Sequence, residues 1–527
     1  MIPGLAPPGE RTLHAVLERN AAVLGDRPFL IDDAGVLSWG QAWERARAVA
    51  KGLRAAGVRR GDRVAIVLDN SREFVETWFG LSLIAAIEVP VAPGAGVRRL
   101  HWMLANSGAR VAVVEPRLLS ELGSLPETVE RLVVVGAQAP GGESSRVMPY
   151  AALTSADEST PSLADTCAAD PVAIMYTSGS TGPPKGVVLP HGQHFTNGKQ
   201  AAGAVGIGID DVIFLCLPLY HNMAQGYGIW PALFAGATVH LVRRFESGVF
   251  WEQVTESKAT VLPFVGDLIA ILAKAKPSPS ESSHALRVGY GVPIPAALHK
   301  DFERRFGFEL IHAYGSTEAT IPVWSVGPRR VIGSAGRVVD GFDVEIRGPE
   351  GTVLPAGAVG EIFVRAREPN MIFSGYYRDP ERTARVLRDG WFQTGDNGTF
   401  DEQGNLWFRG RRGDVIRHHG EFVAAAEVES AAIEHPDVVL AAAFGVPSEL
   451  ADDDIMLAVA IRPDSALTAG KLRTWLSTRL PQFAVPRYLD LAASLPVTPT
   501  GKVDKQRLRA RGVTETTDDA RTAKEKT

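Results

Sequence analysis

The chain has 527 residues, 45% of them hydrophobic and 22% charged, the balance of an ordinary globular protein with room for roughly three or four core-forming units of about 150 residues each. A formal net charge of −5 argues against a nucleic-acid-binding surface, and two cysteines, Cys167 and Cys216, supply neither a disulfide scaffold nor a thiolate metal cluster. The start, MIPGLAPPGE, lacks the basic segment and apolar core of a secretory signal, and apolar runs such as 79–87 fall far short of the ~20 residues of a membrane span, so a cytoplasmic protein with no membrane partner is expected.

Strand and helix signals alternate through the first third. Ser38-Trp39-Gly40-Gln41 reads as a capping box, after which Ala42, Ala46, Val49, Ala50 and Leu53 fall on one helical face and Gly57 closes the helix. A strand at 63–68, a helix at 72–86, a strand at 88–91 and a further helix–strand pair carry the pattern to Val114. A Ser/Ala/Asp-rich stretch, 154–169, precedes a strand at 172–175. Further strands follow at 212–219, 238–242, 261–264, 286–289 and 310–312, with helices between them. This alternation predicts an α/β fold built on doubly wound parallel sheets. From about residue 327 to 412, short strands and Gly/Pro turns predict a small β subdomain; 413–511 reads as a compact α+β unit, and 512–527 as a disordered polar tail.

The strand at 172–175 runs into Tyr-Thr-Ser-Gly-Ser-Thr-Gly-Pro-Pro-Lys-Gly-Val-Val, residues 176–188. Glycines let backbone N–H groups turn toward an anion, the hydroxyls of Thr177, Ser178, Ser180 and Thr181 add donors, and Lys185 adds a point charge. That chemistry suits a polyphosphate. The spacing is not the Walker pattern, because glycine rather than Ser or Thr follows the lysine.

Four more motifs stand in register with this loop: Tyr314-Gly315-Ser316-Thr317-Glu318, Thr394-Gly395-Asp396, Gly410-Arg411 and Pro499-Thr500-Gly501-Lys502. Together they resemble the adenylate-forming superfamily of acyl-CoA synthetases, nonribosomal adenylation domains and luciferases over about residues 10–511. The resemblance implies a large N-terminal domain, 10–412, and a mobile C-terminal lid, 413–511. It also implies a two-step reaction: a carboxylate attacks the α-phosphorus of ATP to give an acyl-adenylate and pyrophosphate, and an acceptor then displaces AMP. In this reading Thr177, Ser178, Gly179, Ser180, Thr181, Gly182 and Lys185 hold phosphates, and Thr177 and Glu318 are Mg²⁺ ligands, oxygen donors suited to a hard cation. Tyr314 stacks on adenine with Gly315 and Thr317 beside it, and Gly291-Val292-Pro293 lines the base pocket. Asp396 and Arg411 contact the ribose, an ionised carboxylate being a good acceptor for hydroxyls. Lys502 bridges the carboxylate and α-phosphate oxygens.

The family's hinge lies two residues past the arginine, where Gly413 replaces the usual Asp or Lys; glycine can absorb the dihedral change of a rotating lid. The segment 420–427 departs from the family's thioester loop, with Phe422 for Asn and Ala425 for Pro. His221 matches the residue that gates the carboxylate pocket, and Tyr290 stands where many longer-chain enzymes have glycine. A phenol ring there is expected to shorten the acyl tunnel. With Phe250-Trp251-Glu252-Gln253-Val254, this part looks like carnitine/crotonobetaine-CoA ligases. The expected activity is an ATP- and Mg²⁺-dependent acid–CoA ligase for a small acid. The altered loop leaves room for a second reading, adenylation with an amine acceptor or ATP-dependent activation of nitrite.

Overall fold

The computed structural model describes residues 11–122, 126–136, 146–155, 164–177, 184–294, 296–328, 330–411, 415–418, 421–448, 453–498 and 502–521. Short runs of β-branched and apolar residues, such as Val111–Val114 and Val212–Leu215, form strands whose side chains are buried on both faces, as the interior of a parallel sheet requires. Two large sheets result. A nine-stranded sheet runs Arg337–Val338, Thr320–Trp324, Glu309–Ser316, Val288–Val292, Val261–Val265, Val212–Leu215, Thr238–Leu241, Pro28–Asp32 and Gly35–Ser38. An eight-stranded sheet runs Gly375–Tyr376, Lys185–Pro190, Pro171–Thr177, Ile87–Pro90, Arg63–Val67, Val111–Val114, Arg131–Val134 and Val147–Pro149. The helices Leu13–Leu24, Trp39–Ala55, Arg72–Leu83 and His191–Val205 contribute their buried faces to a single core continuous with both sheets. The Ser38/Gln41 capping box is formed, and the predicted face Ala42, Ala46, Val49, Ala50 and Leu53 is buried.

A five-stranded antiparallel sheet holds Phe342–Arg347, Gly360–Ala366, Trp391–Phe400, Leu387–Arg388 and Leu406–Arg411. Beyond it, the C-terminal part has its own cores around the hairpin Val438–Pro447/Asp453–Ile461 and the helices Ala425–Ile433 and Ala469–Ser477. The expected disordered tail is corrected in part: Asp518–Asp519 pairs with Tyr488–Ala492. Arg473 and Arg487 draw it in through ion pairs to Asp518 and Asp519 at 2.5 and 2.9 Å, which sequence polarity alone does not reveal. Among the described residues no helix is long and apolar enough to cross a membrane.

The helix His191–Val205 carries two buried histidines, His191 and His194, that neighbour a third, His14. Burial pushes the His14 ring down to about 4 and that of His194 to about 3; it also lowers His191, with the neighbouring His14 and His194 adding to the effect. His194 lies between Trp78 and Trp230, and neither of its ring nitrogens has a hydrogen-bond partner among the described residues. All three are neutral when folded, whereas the unfolded chain binds protons below about pH 6.5. Stability is therefore level above that pH and is lost as pH falls toward about 4, by up to about 1.4 kcal/mol per pH unit for each ring. In denaturant titrations at pH 7 and pH 5, His194→Leu should shrink the drop in midpoint between the two; an unchanged drop would assign the acid sensitivity to other groups.

Candidate active site

The site lies where strands of both large sheets end beside the small β sheet and the C-terminal domain. Pro171–Thr177 and Lys185–Pro190 pair antiparallel with Thr177 opposite Lys185, so the two ends of the glycine-rich loop stand together. Ser178, Gly179, Ser180, Thr181 and Gly182 lie outside the described residues. Thr177 Oγ1 is buried and has no hydrogen-bond partner among the described residues. Lys185 Nζ donates to Glu318 Oε1 at 2.6 Å and to the Tyr376 hydroxyl at 2.9 Å, and that hydroxyl donates to the same Glu318 oxygen at 3.0 Å. Burial opposes ionisation of Glu318, but the Lys185 ammonium and these donors outweigh it and hold the carboxyl below the usual range.

Glu318 sits in the turn between Glu309–Ser316 and Thr320–Trp324. The Ala319 N–H, donating to Ser316 Oγ at 3.1 Å, closes that turn, and Gln193 Nε2 grips it from the helix His191–Val205 by donating to the Thr317 carbonyl at 2.8 Å. Gly315 and Gly291 are required at the ends of their strands. A Cβ at Gly315 would stand 2.0 Å from the Thr320 carbonyl oxygen, and one at Gly291 the same distance from that of Phe264. Val292 and Pro293 follow at the mouth of the same cleft, partly and largely exposed respectively.

Tyr314 is buried and donates its hydroxyl hydrogen to Asp396 Oδ2 at 2.9 Å; its ring lies 6.0 Å from that of Phe408. Asp396 pairs in register with Arg411 across two strands of the small sheet, and Arg411 Nε stands 3.3 Å from Asp396 Oδ1. That oxygen is buried and lacks a hydrogen-bond partner among the described residues. Burial raises the Asp396 carboxyl above its ordinary range, against the pull of Arg411, Tyr314 and Lys502.

Lys502 enters this cleft from the C-terminal domain. Its carbonyl accepts from the Thr498 N–H at 2.7 Å, and the neighbouring Val503 forms a bridge with Val497. The side chain remains accessible to solvent at the cleft mouth. Crowding by protein nevertheless lowers its ammonium from the usual lysine range, Arg411 lowers it further, and Asp267 and Asp396 oppose both. His221 precedes a short helical segment, Asn222–Ala224, with a buried Nε2 that lacks a hydrogen-bond partner among the described residues. Burial, and then Lys502, push its ring down to about 4, so the imidazole is neutral near pH 7. Asp267, in the first turn of the helix Gly266–Lys274, is raised to about 6 by burial and pulled back by Lys502, and its Oδ2 is buried without a hydrogen-bond partner among the described residues. Tyr290 is fully buried, donates its hydroxyl to the Tyr227 carbonyl and packs 6.0 Å from the Trp324 ring.

Thr177, Lys185, His221, Tyr290, Gly291, Tyr314, Glu318, Asp396, Arg411 and Lys502 are thus brought to one region. Gly413 lies outside the described residues, as does Gly420 at the start of the altered loop. Sequence reasoning missed Gln193, Asp267 and Tyr376. The only signal for Asp267 was a carboxylate opening an otherwise apolar helix; Gln193 and Tyr376 carried none, since their partners are more than 50 residues away. Among the described residues no three of His, Cys, Asp and Glu converge on a metal position. A Mg²⁺ here fits Glu318 and the unpartnered Thr177 hydroxyl together with phosphate oxygens, the mixed protein and substrate coordination usual for this ion.

A buried Glu318–Lys185 pair, an Asp396 beside Arg411 and a lysine supplied by a second, C-terminal domain define a two-domain α/β enzyme. The chain belongs to the AMP-binding enzymes: the family model of that description matches residues 17–377, and the model of the AMP-binding enzyme C-terminal domain matches 427–502. A crotonobetaine/carnitine–CoA ligase of Salmonella agona is 31% identical over 517 residues, covering 95% of this chain and 99% of the relative. The ATP-bound crystal structure of MatB from Rhodopseudomonas palustris superposes with a TM-score of 0.81 at 26% identity, covering 94% of this chain and 98% of the other. The apo form of the same protein, at the same identity and coverage, gives 0.72, so the arrangement here is nearer to the ATP-bound form. A benzoate CoA ligase from Burkholderia xenovorans shares the fold, with a TM-score of 0.85 at 24% identity over 94% of this chain and 99% of its own.

Proposed function

We propose that the protein activates a small carboxylic acid with ATP and transfers the acyl group to CoA. The observation that carries this reading is the arrival of Lys502, on the C-terminal domain, in the cleft that holds Asp396, Arg411 and His221. In the first step a carboxylate oxygen attacks the α-phosphorus, the bond to the β-phosphate oxygen breaks, and pyrophosphate leaves. Lys502 balances the charge that builds on the meeting oxygens, where a fixed cation in a partly dehydrated site is most effective. Asp396 offers its unpartnered Oδ1 to a ribose hydroxyl, Arg411 stands beside it, and Tyr314, tied to Asp396, offers its ring to adenine against Gly291-Val292-Pro293. Bound with ATP, Mg²⁺ would neutralise phosphate charge; Glu318 and Thr177 are the residues that would hold it, and 178–182 with Lys185 would hold the outer phosphates. Neutral His221 gates the acid pocket without competing with Lys502 for the carboxylate. In the second step the lid, 413–511, turns about Gly413, the CoA sulfur attacks the acyl carbon and AMP leaves. The names of the relatives, CoA ligases acting on small acids, support this reading.

The departures at Phe422 and Ala425 favour a second reading, adenylation with an amine acceptor or with nitrite as the activated anion. One experiment separates them: ATP–pyrophosphate exchange over small acids and nitrite, then AMP release with and without CoA. Exchange with a small carboxylic acid and CoA-dependent AMP release are expected; CoA-independent turnover with an amine would establish the second reading, and ADP as product would end both. In the same screen Tyr290→Ala should move kcat/KM toward longer acids by at least about tenfold, because each methylene accommodated is worth about 1–3 kcal/mol. A wild type that already improves steadily from C4 to C16 would remove the small-pocket idea.

A further inference from the structure

The helix Gly266–Lys274 faces the C-terminal domain at both ends, by charge at its start and by direct hydrogen bonds at its end. Its first turn brings Asp267 within electrostatic reach of Lys502. At its last residue, half-buried Lys274 donates from Nζ to the carbonyls of Ile433 and His435, each at 3.1 Å. Those carbonyls belong to the end of the C-terminal-domain helix Ala425–Ile433 and the residues just beyond it. Two helix C-termini therefore face each other across the domain boundary, each with carbonyls that receive no intrahelical donor and with partial negative charge; the His435 carbonyl also accepts from the Val438 N–H at 3.1 Å. Arg305, held by Glu281 at 2.8 Å, satisfies the near side by donating to the Ala273 and Ala275 carbonyls at 3.0 and 3.1 Å. That leaves the Lys274 ammonium to satisfy the far side. The second cation nearby, Lys276, reaches Asp464 only at 4.0 Å with both side chains mostly exposed, a pair that screening makes weak.

We infer that Lys274 is a positioning residue for adenylation: by gripping the end of Ala425–Ile433 it holds the C-terminal domain in the orientation that places Lys502 beside Asp267 and Asp396. The inference rests on the adenylation reading above. Asp267 and Lys274 are seven residues apart on one helix, about 10 Å at the α-helical rise, so a rigid element links the clamp to the cleft. A turn of the lid for the second step would carry Ile433 and His435 away from Lys274, so the clamp acts in the first step alone.

The test uses the full chain with Lys274→Met and Lys274→Arg. The Met variant should lose about tenfold in pyrophosphate exchange, the scale of charge-assisted hydrogen bonds to carbonyls, while thioester formation from a supplied acyl-adenylate and CoA stays within about twofold. Arginine should restore most of the exchange. In a Lys502→Ala background, Lys274→Met should cost little more, since the group it positions is gone. Equal losses in both steps, or none in either, would overturn the inference. If the wild type exchanges pyrophosphate with no acid, the activity reading fails by itself and the clamp is judged by distance. Spin labels at Ser283→Cys and Ser477→Cys, with Cys167→Ser, should give one interdomain distance in the presence of ATP and a broadened distribution in the Met variant; an unchanged distribution would overturn it.

Discussion

Lys502→Ala is expected to slow ATP–pyrophosphate exchange by roughly a hundredfold or more, the scale of removing one group that stabilises charge in a transition state. The same variant should convert a supplied acyl-adenylate and CoA to thioester at nearly the wild-type rate. The physical basis is where the ammonium sits: on the C-terminal domain, within electrostatic reach of Asp267, Asp396 and Arg411. Substrate carboxylate and α-phosphate repel each other as they approach, and the Lys502 ammonium would offset that repulsion. The side chain is partly solvent-accessible, so its loss should leave folding stability nearly unchanged. Equal losses in both half-reactions would mean that Lys502 supports the fold of the lid and does not act on the adenylation step.

Glu318→Gln is expected to reduce exchange at least as severely, by a hundredfold or more, and to raise the Mg²⁺ concentration needed for half-maximal exchange by at least about tenfold. The carboxylate is nearly inaccessible yet ionised, because Lys185 at 2.6 Å and the Tyr376 hydroxyl at 3.0 Å compensate its burial. Glutamine keeps the shape and one acceptor oxygen but removes the charge that would bind a hard cation and that balances Lys185. Breaking a buried pair from one side leaves the other charge uncompensated. The variant should therefore also melt earlier, and Lys185→Met in the same chain should recover part of that loss without recovering exchange. An unchanged Mg²⁺ requirement in Glu318→Gln would remove this residue from the metal site.

Much of the site was legible before any coordinates, because each motif joins a backbone requirement to a chemical one. Gly315 has to be glycine where the Thr320 carbonyl approaches, and the acid that follows three residues later is carried by the turn this creates. Asp396 and Arg411 stand fifteen residues apart in the chain but opposite each other in an antiparallel pair, a register that short strands and a tight turn nearly dictate. Tyr376 and Gln193 were not legible. Tyr376 meets Lys185 only because Gly375–Tyr376 adds to the edge of the eight-stranded sheet beside Lys185–Pro190. Gln193 meets Thr317 because a helix from one sheet's connections packs under a turn from the other.

What the chain determined by itself was local: the alternation of strand and helix, the capping box at Ser38, the glycines at strand ends and the identity of the charged groups. These follow from side-chain period and backbone sterics over a few residues. What only the tertiary structure decided was long-range. It set the hairpin Pro28–Asp32/Gly35–Ser38 beside Thr238–Leu241, drew Asp518–Asp519 into the last sheet, and set Lys274 against the carbonyls of Ile433 and His435. Such contacts depend on which buried faces fit together and on where orphan carbonyls and charges find partners. Those conditions are met in three dimensions between residues that no sequence spacing relates.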